Sequence, residues 1–142
     1  MLAAGVASVG LSQQEMEGEA AALWRRLPRG GVVWLSGELG SGKTTLVQAL
    51  ARSAGAGPAR SPTFALVHEY PSPEGPLIHV DCFRLKHPEE ALDLDLAVLA
   101  ARARLLVLEW PERAGRHAPV ADAHLRLAHT GDVDRRSLEW VT

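Results

Sequence analysis

Gly37-Glu-Leu-Gly-Ser-Gly-Lys-Thr-Thr45 carries glycines, a lysine and hydroxyls at spacings that suit a polyphosphate. The segment fits G-x-x-x-x-G-K-[ST] in full, the pattern of a loop whose backbone N–H groups converge on phosphate oxygens. It leaves an apolar run, Val32-Val-Trp-Leu35, and enters a stretch of helical periodicity at Lys43. The glycines permit the tight curl, and the helix start adds the positive end of its dipole. The Lys43 ammonium is a point charge for β- and γ-phosphates, and the Thr44 hydroxyl is a ligand for Mg²⁺. Gly40, Ser41, Gly42, Lys43, Thr44 and Thr45 are thus the expected contacts to a nucleotide such as ATP. A ligand-free glycine-rich turn would need neither Lys43 nor Thr44. The chain writes its positive charge as thirteen arginines and only two lysines, and one of the two stands at position 43.

A phosphate loop needs a carboxylate near Mg²⁺ and a group that positions the attacking water or acceptor. Ligands of parallel sheets bind at the C-terminal strand ends, and two acids close apolar runs. Asp81 follows Leu77-Ile-His-Val80, and Glu109 follows Leu105-Leu-Val-Leu108. Either acid also suits a turn cap or an arginine partner. Ser61-Pro-Thr63 is a third candidate: Pro62 holds Ser61 extended, so Thr63 offers a hydroxyl in a defined direction after the Gly/Pro-rich loop Gly55 to Pro62. Such a threonine can sense a γ-phosphate, as mobile switch segments do; the plain alternative is a strand-entry turn.

Positioning these groups requires an ordered alternation of elements. Ser12-Gln-Gln-Glu15 has the form of a capping box and starts a helix to about Leu27. Val32 to Leu35 reads as a buried parallel strand, and Lys43 to about Ala54 as a helix with Leu46, Val47, Leu50 and Ala51 on one face. Two strands follow, Phe64 to Tyr70 and Leu77 to Asp81. Pro88, Glu89 and Glu90 then open a helix expected to reach Arg102. Leu105 to Leu108 is the strongest buried strand, stopped by Pro111. His124 to His129 with Ser137 to Val141 reads as an antiparallel hairpin closed at Gly131-Asp132. The expectation is an α/β P-loop-type layered fold, 1–142 as one domain, with a mainly parallel central sheet, an antiparallel hairpin portion and helices on both faces.

Bulk properties are those of a globular domain: 142 residues, 46% apolar, 23% charged and net charge −2. Nothing in that total announces a nucleic-acid or membrane binder. The arginine pairs at 25/26, 102/104 and 135/136 read as solvated faces. Cys82 is the single cysteine, which excludes an intramolecular disulfide and fits a reducing compartment. The opening Met1 to Val6 lacks the basic region of a signal peptide, and no segment reaches transmembrane length, so a cytoplasmic protein is expected. The six histidines show no metal pattern.

With these residues in place, the chain resembles the TsaE (YjeE) family, P-loop ATPases required for the threonylcarbamoyladenosine modification of tRNA. The resemblance runs from about Ser12 to Arg113. It rests on Gly37 to Thr45, Ser61-Pro-Thr-Phe64, His79-Val-Asp-Cys-Phe-Arg-Leu85 and Leu108-Glu-Trp-Pro-Glu-Arg113. It implies ATP hydrolysis, slow alone and coupled to TsaD-type and TsaB-type partners that modify adenosine 37. It also implies Thr44 and Glu109 as Mg²⁺ ligands, Asp81 as the essential aspartate, Thr63 as the switch-like threonine, and Trp110 and the Ser12-Gln13 helix start beside the nucleotide. With Lys43, Asp81 and Thr63 form the implied catalytic set. Phe83 stands where the family usually has tyrosine, and Met16 where threonine is common. The mild acidity of the chain argues against strong independent RNA binding, so contact with tRNA is expected to be indirect.

Two other functions fit the same loop. A small-molecule kinase would use Asp81 as base for an acceptor hydroxyl, although no arginine-rich lid is evident. A nucleotide-gated assembly subunit would need binding but little turnover. The sequence argues against a GTPase: without asparagine, and with neither lysine followed two residues later by Asp, the guanine-reading [NT]-K-x-D motif cannot occur.

Overall fold

Ser12 starts the first helix as its spacing from Glu15 requires. Its hydroxyl accepts from the Glu15 amide at 3.2 Å, while the Glu15 carboxylate accepts from the Ser12 amide at 3.0 Å. The chain is described by a computed structural model over residues 7–38, 40–59 and 66–141. A strand, β1 (Ala7–Leu11), precedes this cap, and helix α1 (Gln13–Arg26) follows it, burying Met16, Ala20, Leu23 and Trp24 along one stripe. Then come β2 (Gly31–Ser36), α2 (Lys43–Ser53), β3 (Val67–Tyr70), β4 (Leu77–Asp81), α3 (Leu96–Arg102), β5 (Leu105–Glu109), β6 (Ala123–His129) and β7 (Arg136–Trp140). Short 3₁₀ segments occupy Cys82–Arg84, Pro88–Leu94 and Pro111–His117.

The seven strands form one sheet in the order β1-β7-β6-β2-β5-β4-β3. The central four, β6-β2-β5-β4, are parallel, and antiparallel strands flank them on both sides. The mixed, layered α/β architecture is the one expected. β5, between β2 and β4, is buried at all five positions. Side-chain alternation then sorts the sheet into two faces. Val33, Leu35, Leu77, Leu105 and Val107 pack against α1 and α2, whereas Val32, Ile78, Val80, Leu106 and Leu108 pack against Leu96 of α3 and its neighbours. Arg104, buried at the start of β5, donates to the carbonyls of Trp24 and Pro28 and lies over the Trp24 ring. It ties the end of α1 to the sheet.

Three elements differ from expectation. β1 has no sequence signal of its own, because Ala-Ser-Val-Gly-Leu is short and interrupted by glycine; its pairing with β7 makes it a strand. The helix expected from Pro88 to Arg102 is broken at Asp95, which adopts left-handed geometry (φ 49°, ψ 66°) and accepts from the Val98 amide at 3.4 Å. Its carboxylate caps a new helix in place of continuing the old one. β3 begins at Val67; Phe64 and Ala65, the expected start, lie outside the described residues. No helix of the described residues is long and apolar enough to cross a membrane.

Candidate functional site

The phosphate-type loop joins β2 to α2. Gly37, Gly40 and Gly42 all take positive φ (142°, 76° and 107°), a backbone that other residues adopt only at a cost. At Gly37 the requirement is also steric: a Cβ there would stand 2.4 Å from the Leu127 carbonyl oxygen and 2.6 Å from Ser41 Oγ. Gly42 opens α2 with no side chain capping the first amides, which leaves them directed at the loop interior. Lys43 is buried, and its ammonium donates to the carbonyls of Gly37 and Glu38, 4.7 Å from the Trp110 ring centroid. Ser41 is also buried, and its Oγ has no hydrogen-bond partner among the described residues. Thr44 is exposed and Thr45 partly so. A lysine folded onto main-chain carbonyls and a buried, unpaired hydroxyl are groups that an anion in the loop would engage.

Both candidate acids come to this place through strand register. In the parallel ladders Leu35 of β2 lies beside Glu109 of β5, and Glu109 beside Asp81 of β4. The two acids therefore share the sheet face that packs on α2, at the strand ends where the loop departs. Glu109 is buried and Asp81 half-buried. Asp81 Oδ1 accepts from the Phe83 amide at 3.0 Å, the turn-cap role foreseen as its plain alternative, and this fixes the direction of the carboxylate. Trp110, next after Glu109, is held at φ 54°, ψ 52°. A bulky residue in that region stores strain of about 1–3 kcal/mol, and such strain gathers at functional sites. Among the described residues no three His, Cys, Asp or Glu side chains gather as a metal cluster. A divalent ion here would draw on Thr44, Glu109 and oxygens of its own ligand.

One contact has no counterpart in the sequence reading. His79 Nε2 stands 3.1 Å from Glu109 Oε1, yet the two atoms are misaligned and neither has a hydrogen-bond partner among the described residues. Leaving such buried groups unpaired costs about 1–3 kcal/mol each. Tyr70 lies on the same face, and burial first, then the Glu109 carboxylate, raises its phenol above the ordinary value. Cys82 points to the other face, where burial above all, then Asp81, Glu112 and Glu109, push its thiol up to about 12. It is buried away from the face that carries the two acids.

A cleft of about 590 Å³ opens beside the loop, a size suited to a small ligand. Its walls are Leu11, Ser12, Gln13, Gln14 and Met16 from the β1–α1 junction, Gly40 and Gly42 to Thr45, and Val133, Asp134 and Arg136 from the β6–β7 turn and the start of β7. The start of the first helix thus lies beside the loop, as the resemblance implies. Asp81 and Glu109 lie outside this cleft. The expectation that the arginine pairs are solvated is corrected at two places: Arg104 is buried, and Arg136 enters the cleft next to Gly42 with its Nε buried and unpaired. Sequence spacing gave no hint of Arg136, because only the β6–β7 hairpin folds it back to the loop. In the segment leading to the candidate switch, Ala56 packs on the core, and the Gly57 amide donates to the Pro71 carbonyl at 2.9 Å. That portion is more tightly held than its composition suggests. Ser61, Pro62 and Thr63 lie outside the described residues.

Over residues 11–138 the chain matches the family described as threonylcarbamoyl adenosine biosynthesis protein TsaE. A protein of Streptomyces coelicolor named tRNA threonylcarbamoyladenosine biosynthesis protein TsaE is 42% identical over 113 residues, covering 74% of each chain. A Nostoc protein of the same name is 41% identical over 96 residues, which span 64% of this chain and 59% of that relative. The chain thus spans about three fifths of the length of the cyanobacterial protein. Among solved structures, that of Bacillus subtilis YdiB superposes with a TM-score of 0.75 at 23% identity, covering 95% of this chain and 83% of YdiB. That likeness concerns the fold.

Proposed function

Because the chain belongs to the TsaE family, we propose that it binds Mg-ATP at Gly37 to Thr45 and hydrolyses it in support of threonylcarbamoyladenosine formation at position 37 of tRNA, working with TsaD-type and TsaB-type partners. The observation that carries the reading is the convergence at one place of Lys43, turned onto loop carbonyls, and Glu109, delivered beside the loop by register. In this reading the loop amides and Lys43 hold the β- and γ-phosphates, and Thr44 and Glu109 hold Mg²⁺. The ion, when bound, neutralises charge on the phosphate oxygens. Asp81, its carboxylate oriented by the Phe83 amide, positions the attacking water. The nucleoside half occupies the cleft between the start of α1 and Arg136. Thr63, assigned from sequence, senses the γ-phosphate.

Calorimetric titration with ATP, in Mg²⁺ and in EDTA, tests this directly. The wild type should bind more tightly with Mg²⁺. Lys43→Ala and Thr44→Ala should keep the circular dichroism spectrum of the wild type and lose productive Mg-ATP binding. Wild-type affinity in either folded variant overturns the assignment. Turnover stimulated by the partner proteins separates a coupled ATPase from a gate that merely binds.

A further inference from the structure

His79 is one residue type in a strand, and the Mg-ATP reading leaves it without a task. It sits on β4 two residues before Asp81, on the face shared with Glu109, with its ring stacked on His68 (centroids 5.8 Å apart, 27° between planes). His79 is 8% exposed and Glu109 6% exposed, and Nε2 and Oε1 are 3.1 Å apart. Two buried polar atoms this close, Nε2 and Oε1, neither hydrogen-bonded elsewhere among the described residues, have a reason to be there other than packing. A carboxylate that ligates a metal is generally held by a second group that fixes its direction and tunes its basicity. Resting on the reading of Glu109 as the Mg²⁺ ligand, we propose that His79 is a positioning residue: its Nε2, 3.1 Å from Oε1 but misaligned, turns onto Oε1 when an ion engages Glu109 and holds the carboxylate towards the phosphate loop. His79 lies in a strand bonded on both sides, to β3 and β5, so its place is set by the sheet and not by the mobile ligand.

The test is Mn²⁺ binding to the ADP-bound full chain, read from the paramagnetic resonance of free Mn²⁺, with ADP binding in EDTA measured in parallel. His79→Leu, which keeps the buried volume, should weaken Mn²⁺ binding about tenfold and leave ADP affinity in EDTA unchanged. His79→Gln restores a side-chain N–H and should stay within about threefold of wild type by the same reasoning. In a Glu109→Gln background His79→Leu should add nothing. A merely structural role would weaken ADP binding with and without metal alike, and that result, or unaltered Mn²⁺ affinity in His79→Leu, overturns the proposal. If the leucine variant does not fold, the wild type decides: Mg²⁺ added to the ADP complex should move the ¹⁵N resonance of His79 Nε2 and spare that of His124, and an unmoved His79 overturns the proposal. A wild type that binds no ADP refutes the nucleotide reading itself and takes this proposal with it.

Discussion

At the scale of single residues, Asp81 and Glu109 show how neighbours in register can differ in task. They lie side by side on β4 and β5, but Glu109 is buried against His79 while Asp81 is half-buried and bonded to the Phe83 amide. Glu109→Gln should weaken the Mg²⁺ dependence of ATP binding. Asp81→Asn keeps an oxygen for the Phe83 amide and loses only the charge, so it should lower kcat about 100-fold with binding largely kept. Titration and steady-state turnover on the same preparations check both. If Asp81→Asn alone abolished Mg²⁺-dependent binding, the two roles would be exchanged. The acids were legible because each ends an apolar run. His79 stood in a family-like segment, but its role was not legible, since a histidine inside a buried strand carries no spacing signal and its partner is 30 residues away in sequence.

At the scale of elements, the helix start at Pro88 was readable from its proline and acids, but its interruption at Asp95 was not. Leu92-Asp-Leu-Asp-Leu96 satisfies both helical and alternating patterns in part; the left-handed Asp95 resolves the conflict by ending one turn and capping the next. Asp95→Ala removes the cap and puts an ordinary side chain at positive φ, so it should cost about 1–2 kcal/mol. Asp95→Gly should cost only a few tenths, about 0.3 kcal/mol, because glycine regains the conformation. Urea unfolding of the two variants decides this, and an unmoved midpoint in Asp95→Ala would show that the cap contributes nothing.

At the scale of the whole molecule, a few arginines join elements that lie far apart in sequence. Arg135 donates to the Gly10 carbonyl and lies 3.3 Å from Glu15, fastening the cleft's two walls across the β1–β7 edge. Arg104 does the same at the opposite end, between the last turn of α1 and β5. Arg104→Ala leaves the Trp24 carbonyl without its Arg104 donor, whereas the Pro28 carbonyl keeps the Gly31 amide, and should destabilise the fold by about 1–3 kcal/mol. The lower midpoint should appear in chemical denaturation with an unchanged slope. An exposed arginine such as Arg25 should shift it by less than about 0.5 kcal/mol on the same substitution.

What the sequence by itself determined is local: the phosphate-type loop, the capping box at Ser12, the apolar strands, and the acids at two of their ends. Each is a contiguous pattern whose physics acts within a turn or a strand, so its residues report it directly. The tertiary structure decided what depends on strand order and side-chain direction. β4 and β5 are adjacent although α3 separates them in sequence, and only that adjacency brings His79 to Glu109. Only the β6–β7 hairpin returns Arg136 to the loop, and only pairing with β7 makes a strand of Ala7–Leu11. Contacts of that kind are set by which faces bury one another, a long-range consequence of the whole apolar pattern that no single segment contains.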